Sequence, residues 1–229
     1  MNIKHKEHVD RNIYYWEKVF SRQEWGKYPP IELVRFIQKT FSFVENRGHI
    51  KILELGSGPG PNLWFMAREG FCVYGIDGSK SACESAYKRL KDENLSHNVG
   101  EIKIGDYFKK LDEFPDNYFD AIIDIESLYC NPFERTKDII EKSFNKLKTS
   151  GKMFSITFAN KEWLSDDEDI EYHAINNEEV RGYFRYTTRE DIDTLYTSDI
   201  SSLDMVEMSE LHGSNGRSKQ EWLVECTKI

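Results

Sequence analysis

The chain has 229 residues, a formal net charge of −9 and a hydrophobic content of 39%. That length is enough to bury a full central sheet in one domain, and the acidic balance argues against broad binding to phosphate backbones, which needs clustered lysine and arginine. The opening MNIKHKEHVD lacks an apolar signal core and no apolar run approaches the ~20 residues of a membrane span, which predicts a cytoplasmic protein without membrane contact.

In chain order, Tyr14, Tyr15, Trp16, Val19 and Phe20 form an aromatic, helix-spaced segment before the turn WGKYPP, and Ile31 to Phe41 carry a second helical pattern after Pro30. Residues 1–48 are expected to form a helical cap. The three consecutive aromatics could face a cation, but their spacing favours a packing stripe. Next, KILELGSGPG reads as a buried strand interrupted by Glu54 and followed by a glycine turn at Gly56, Gly58 and Gly60. Glycines there let a ligand approach the main chain and the unpaired N–H groups that open the following helix. Phe71 to Ile76 forms the second strand, and Asp77 stands at its carboxyl end, seventeen positions after Gly60 and suited to two ribose hydroxyls.

Ser79 can cap a helix that runs to about Glu93, and EIKIGDY reads as an alternating strand ending in Gly105 and Asp106. The usual preference for Asp after Gly in turns gives Asp106 a second, less favoured reading as a turn aspartate. FPDNYFDAIIDIESLYC supplies a polar turn and a buried strand over Ala121 to Ile125, with Asp124 and Glu126 at its end. A helix is predicted over 134–148, then a turn and strand in TSGKMFSITFAN. After a polar insertion containing SDDEDIE, a helix is expected near Thr188. Leu203 to Leu211 and Gln220 to Thr227 then read as a hairpin across HGSNGRSK.

Glu54, Gly56, Gly58 and Gly60 match an acid followed by Gly-x-Gly-x-Gly after a hydrophobic strand, and the later landmarks follow in order. Residues 49–160 thus resemble the class I S-adenosylmethionine-dependent methyltransferases. A dinucleotide-binding oxidoreductase would more often show Gly-x-Gly-x-x-Gly, but its third glycine would fall at Pro61. The resemblance implies an α/β fold: a Rossmann-like, seven-stranded, mostly parallel sheet with helices on both faces and an antiparallel last strand. It implies S-adenosyl-L-methionine as cofactor and S-adenosyl-L-homocysteine as product. The implied cofactor residues are Glu54, Gly56, Ser57, Gly58, Gly60, Asp77, Gly78, Asp106, Tyr107, Asp124 and Ile125. Among these, Asp106 is expected to receive the adenine amino group. Asp124 and Glu126 are expected near the methionine part of the cofactor and the acceptor.

One domain is expected over 1–229, divided into the cap (1–48), a cofactor-binding core (49–160), a substrate-side insertion (161–189) and a C-terminal helix and strands completing the sheet (190–229). The expected reaction is methyl transfer to a small-molecule oxygen or nitrogen nucleophile. A sulfonium already makes the methyl carbon electrophilic, so alignment carries much of the rate, whereas a hydroxyl acceptor also gains from a base. Glu126, His212 and His173 are the candidate catalytic groups, and Glu126 is read equally as an orienting residue. Cys72, Cys83, Cys130 and Cys226 lack ligand or disulfide spacing and are expected to be reduced; the acid run reads as a solvated loop, so no metal is expected. The alternatives are an NAD(P)-dependent oxidoreductase and a non-catalytic S-adenosylmethionine-binding regulatory module. Acceptor identity and oligomeric state are not encoded in these patterns.

Overall fold

The computed structural model describes residues 3–159, 172–173, 182–212 and 218–229. Its sheet strands are β1 (Lys51–Leu55), β2 (Cys72–Asp77), β3 (Val99–Ile104), β4 (Phe119–Ile125), β5 (Leu147–Phe158), β8 (Ser201–His212) and β9 (Ser218–Lys228). A separate antiparallel pair joins β6 (Tyr172–His173) to β7 (Gly182–Tyr183). The helices are α1 (Ile3–Arg22), α2 (Ile31–Phe41), α3 (Pro61–Arg68), α4 (Lys80–Asp92), α5 (Tyr107–Lys110), α6 (Phe133–Lys146) and α7 (Arg189–Tyr196). The seven-stranded sheet has the order β3-β2-β1-β4-β5-β9-β8. Strands β1 to β5 pair in parallel, and β9 runs antiparallel to both β5 and β8.

The apolar runs are explained by burial on both faces of this sheet. Leu53, Leu55, Ile122 and Met153 face α6 and α7 through Ile139, Ile140, Phe144, Ile192 and Leu195. Ile52, Val73, Ala121, Ile123 and Phe154 face α2, α3 and α4 through Phe36, Leu63, Met66 and Ala86. Phe36 of α2 stacks on Phe154 of β5, with ring centroids 4.7 Å apart and planes 8° from parallel. Truncating either ring to alanine would cost about 3–5 kcal/mol by the usual core ledger.

Local signals set several boundaries. Ser79 caps α4 by accepting from Ala82 N, while Thr188 and Asp191 close a reciprocal capping box at α7. The helix expected to reach residue 148 stops at Lys146 instead, because Leu147 pairs with Phe119 and begins β5. The sheet's carboxyl rim gathers the ends of β1 to β5 beside the first residues of β9. Helix α1 packs across this rim, against α4 and β7. Among the described residues, no helix is long and apolar enough to cross a membrane.

Candidate active site

The turn after β1 is fixed by its backbone. Gly56 and Ser57 both donate their N–H groups to Ile76 O, at 2.8 and 3.2 Å, which folds the turn over the end of β2. Gly56 has φ +72, and a Cβ added there would run into Ser127 Oγ, so this position admits only glycine without rearrangement. Gly58 differs: a Cβ there would come no nearer than 3.5 Å to anything, and that nearest neighbour is the Phe20 ring of α1. The turn is therefore packed shut beneath Gly56, whereas above Gly58 it meets the Phe20 ring at ordinary contact distance.

Carboxylates ring this turn. Asp77 accepts from Gly58 N through Oδ2 and from Ser79 N through Oδ1, each at 2.7 Å. Burial raises its pKa to about 6 despite those two bonds. Glu54 is buried; its Oε1 accepts from Asn62 Nδ2 at 2.6 Å. Burial lifts its pKa well above the ordinary value, against the Asn62 bond, and the nearby charges of Asp77 and Asp124 add to the rise. Asp124 accepts from Ser127 N and Leu128 N, and burial raises it to about 7. Ile125 ends β4 beside Ile156, and Gly78 lies against Ile13 of α1.

Asp106 caps α5 by accepting from Phe108 N at 3.1 Å and also pairs with Arg135 Nη2 at 2.6 Å. The two side chains are 8% and 4% exposed. Arg135 Nε continues to Asn131 Oδ1, Asn131 Nδ2 donates to Tyr107 Oη, and Tyr107 Oη lies 3.4 Å from Ser127 Oγ. This chain of contacts ties the end of β3 to the loop after β4 and ends at the serine beneath Gly56. Burial holds the Tyr107 phenol protonated by raising its pKa.

The third group lies at the ends of β4, β5 and β9. Glu126 adopts φ +53, a left-handed conformation uncommon for a residue with a Cβ, while its N–H donates to Ile156 O at 2.9 Å. Lys219 Nζ lies 2.8 Å from Glu126 Oε1, 2.6 Å from Glu221 Oε1 and 5.0 Å from the Phe158 ring centroid. Burial raises Glu221 to about 7, with the Glu126 charge acting in the same direction and Lys219 opposing it. Tyr129 packs on Phe158 and Phe184, and Trp16 reaches Phe184 and Phe20. Of the expected aromatic stripe, Tyr15 is fully buried and Tyr14 is exposed, so Trp16 is the member at the rim.

Glu126 is thus brought to the rim with the cofactor candidates. His212 ends β8, two strands beyond β5, with its side chain 78% exposed and 4.0 Å from Glu210. The backbone of His173 pairs with Gly182 in β6; its side chain and the acidic SDDEDIE run lie outside the described residues. The four cysteines are free, and Cys83, Cys130 and Cys226 are buried. Sequence reasoning missed Arg135, Asn131, Ser127, Lys219, Glu221 and the contacts made by Ile13, Glu17 and Phe20. Arg135 did leave a signal, as a charge in helical register with the apolar residues Ile139, Ile140 and Phe144 of α6.

The residues fit an adenosyl sulfonium. Among the described residues, Glu54 Oε2, Ser57 Oγ and Asp106 Oδ2 are buried without hydrogen-bond partners, and all belong to the carboxyl rim. Acceptors of this kind suit a ligand carrying hydroxyl, amino and cationic groups.

A family profile described as "Methyltransferase domain" matches residues 46–206. No curated protein matches the chain in sequence. Among solved structures, a SAM-dependent methyltransferase from Methanosarcina mazei is 21% identical, with a TM-score of 0.65 over 82% of this chain and 95% of that one. Magnesium protoporphyrin IX methyltransferase from Synechocystis PCC 6803, solved with bound SAM, is 14% identical, with a TM-score of 0.62 over 99% of this chain and 96% of that one. The [4+2]-cyclase SpnF is 12% identical, with a TM-score of 0.63 over 98% of this chain and 94% of that one. Such likenesses carry the fold, and SpnF illustrates that the fold does not dictate one reaction. The profile, spanning most of the chain and all five parallel strands, carries the chemistry: this chain belongs to the methyltransferase domain family and is a class I S-adenosylmethionine-dependent enzyme.

Proposed function

We propose that the enzyme methylates an oxygen or nitrogen nucleophile of a small molecule, held between the Glu126 rim and the aromatic side chains of Trp16, Tyr129 and Phe184. The supporting observation is the arrangement at the ends of β4, β5 and β9. Glu126 in a strained backbone conformation and the Lys219–Glu221 pair stand beside Tyr129, Phe158 and Phe184. Apolar walls with a few convergent polar groups suit a small ligand. The charge of −9 gives no general support for a nucleic-acid acceptor.

In this reading Asp77 holds the ribose hydroxyls, the Gly56 to Gly60 turn lies under the cofactor and Asp106 faces the adenine amino group. Tyr107 orders Asp106's surroundings through Asn131 and Arg135, while Asp124 and Ile125 flank the methionine part. Bound S-adenosylmethionine supplies a methyl carbon made electrophilic by its sulfonium. The chain's own groups hold the attacking atom in line with that carbon and exclude water. Lys219 Nζ, 2.8 Å from Glu126 Oε1, fixes the direction of that carboxylate, which suits orientation of the acceptor or acceptance of its proton. The same reading treats the chain as one domain, with residues 1–48 as its cap and 161–189 as a substrate-side insertion.

The test is incubation of the protein with methyl-labelled S-adenosylmethionine and a cell extract, followed by mass spectrometry. A component heavier by one labelled methyl group, isolated and shown to carry it on oxygen or nitrogen, is the expected result. A label found on nucleic acid, protein or carbon would overturn the proposal. Titration with S-adenosylmethionine and S-adenosylhomocysteine tests the cofactor residues separately.

A further inference from the structure

Helix α1 meets the sheet rim along one stripe. Ile13, Trp16, Glu17 and Phe20 are spaced to share a face over two turns. Ile13 presses on Gly78, where an added Cβ would stand 2.7 Å from Ile13 Cγ1, and the Phe20 ring covers Gly58, where an added Cβ would stand 3.5 Å from it. These two glycines flank the carboxylate of Asp77, which bonds to Gly58 N.

Between the two apolar contacts, Glu17 binds the opening of α4. It accepts from Ser79 Oγ at 2.6 Å, Ser81 N at 3.1 Å and Ser81 Oγ at 2.5 Å. Partial burial opposes its charge, but the bonds from Ser79 and Ser81 prevail and hold the carboxyl below its ordinary value. The positive end of α4 favours the same charge. On its other side α1 is fixed by Asn12, which donates to Cys130 O at 2.5 Å and accepts from Tyr183 N at 2.7 Å. The helix is therefore bound to both margins of the rim by directional contacts, with apolar side chains over the glycines between them.

We infer that α1 is the wall of the cofactor site facing the glycine turn, that Ile13 and Phe20 contact the adenosyl group, and that Glu17 is the positioning residue holding this wall in place. The inference rests on the reading of Asp77 and Gly58 as cofactor residues. A ligand that reaches Asp77 and Gly58 from the side of α1 passes beneath Ile13 and Phe20. Its entry and exit then require the Glu17 bonds to α4 to open. Charge-assisted bonds of this kind are stronger than neutral ones, so Glu17 governs how long the cofactor stays bound.

S-adenosylhomocysteine is the probe, because it needs no methyl acceptor. Its association and dissociation are followed by stopped-flow fluorescence in the wild type, Glu17→Gln and Glu17→Ala, with thermal melting and hydrogen exchange on the same samples. In the wild type the ligand is expected to slow amide exchange across residues 12–22. Glu17→Ala is expected to speed ligand release roughly ten- to hundredfold, the range expected for loss of hydrogen bonds to a charged group. Glu17→Gln retains an acceptor and should fall between the two.

A helix that merely packs would give a lower melting temperature with unchanged release and no ligand-induced protection of α1; that result overturns the inference. Should Glu17→Ala fail to fold, Ser81→Ala removes one hydroxyl donor from the α4 side and should accelerate release to a smaller extent. Unchanged release in Ser81→Ala would also overturn it. Wild-type protein that folds but does not bind S-adenosylhomocysteine would instead overturn the cofactor-residue reading, a failure distinct from unchanged release in a binding-competent variant.

Discussion

Replacing Arg135 by methionine tests the network that joins β3 to the loop after β4. The substitution keeps much of the side chain's length and apolar stem but removes the guanidinium 2.6 Å from Asp106 Oδ1. It also removes the bond from Arg135 Nε to Asn131 and the guanidinium 5.3 Å from the Phe108 ring centroid. With only 4% of the arginine and 8% of the aspartate side chain exposed, solvent cannot replace the lost partner without rearrangement. Breaking one side of a buried ion pair costs about 3–5 kcal/mol. For a domain of this size each kcal/mol lowers the melting temperature by about 2–4 °C, so a fall of about 6–20 °C is expected. Urea denaturation followed by fluorescence and circular dichroism gives the free energy, provided the two probes coincide. The double variant Arg135→Met/Asp106→Leu should recover much of the loss, because no lone charge remains buried. A loss below about 1 kcal/mol in Arg135→Met, or a double variant no more stable than the single, would refute the argument from an uncompensated buried carboxylate.

Acidification provides a second test. Burial raises Asp77 to about 6, and its proposed role as acceptor from two ribose hydroxyls needs the charged form, so S-adenosylhomocysteine affinity should fall as pH drops through about 6. Asp77→Asn should bind more weakly and with a flatter pH profile by calorimetry. Asp124 bears on stability: burial raises its folded pKa to about 7, above the ordinary 3.8, so its contribution is fully present below that lower value and is lost as pH rises through about 7. Asp124→Asn should flatten that part of the stability profile in urea titrations. Gly56→Ala should destabilise by at least about 1–2 kcal/mol through its left-handed backbone alone, and Ser127→Ala should not restore stability because the φ cost remains. Once an acceptor is identified, Glu126→Gln and Lys219→Met should lower turnover while leaving S-adenosylhomocysteine affinity close to wild type. Normal turnover in both would remove this rim group from the reaction.

The parts of the fold carried by local pattern were legible in the sequence. The apolar run before Gly56, the acid ending β2 and the serine capping α4 each depend on neighbours within one turn or strand. The hairpin of β8 and β9 was readable for the same reason, with alternation on both sides of a polar turn. The end of α6 was not, since Leu147 and Lys148 continue the helical pattern and are diverted only by pairing with β4. Partners across the rim were also hidden. Lys219 meets Glu126 from 93 positions away, and Glu17 reaches Ser81 across 64, separations on which local periodicity is silent. Tyr107 was attached to the cofactor through its position after Asp106, but its hydroxyl is used by Asn131 and Ser127. The β6–β7 pair had no recognisable signal, because two-residue strands are too short for alternation to register.

The position of β9 between β5 and β8 bears on how the protein is made. On a ribosome, β8 emerges before β9, yet it cannot join the sheet until β9 has filled the place between it and β5. Until then, the nascent chain presents the unsatisfied main-chain edge of β5, with Phe154 and Ile156 on one face and Met153 on the other, to any passing strand. Chaperone dependence and inclusion-body formation should therefore be governed by the interval between synthesis of Phe158 and Lys228, the period in which aggregation competes with insertion.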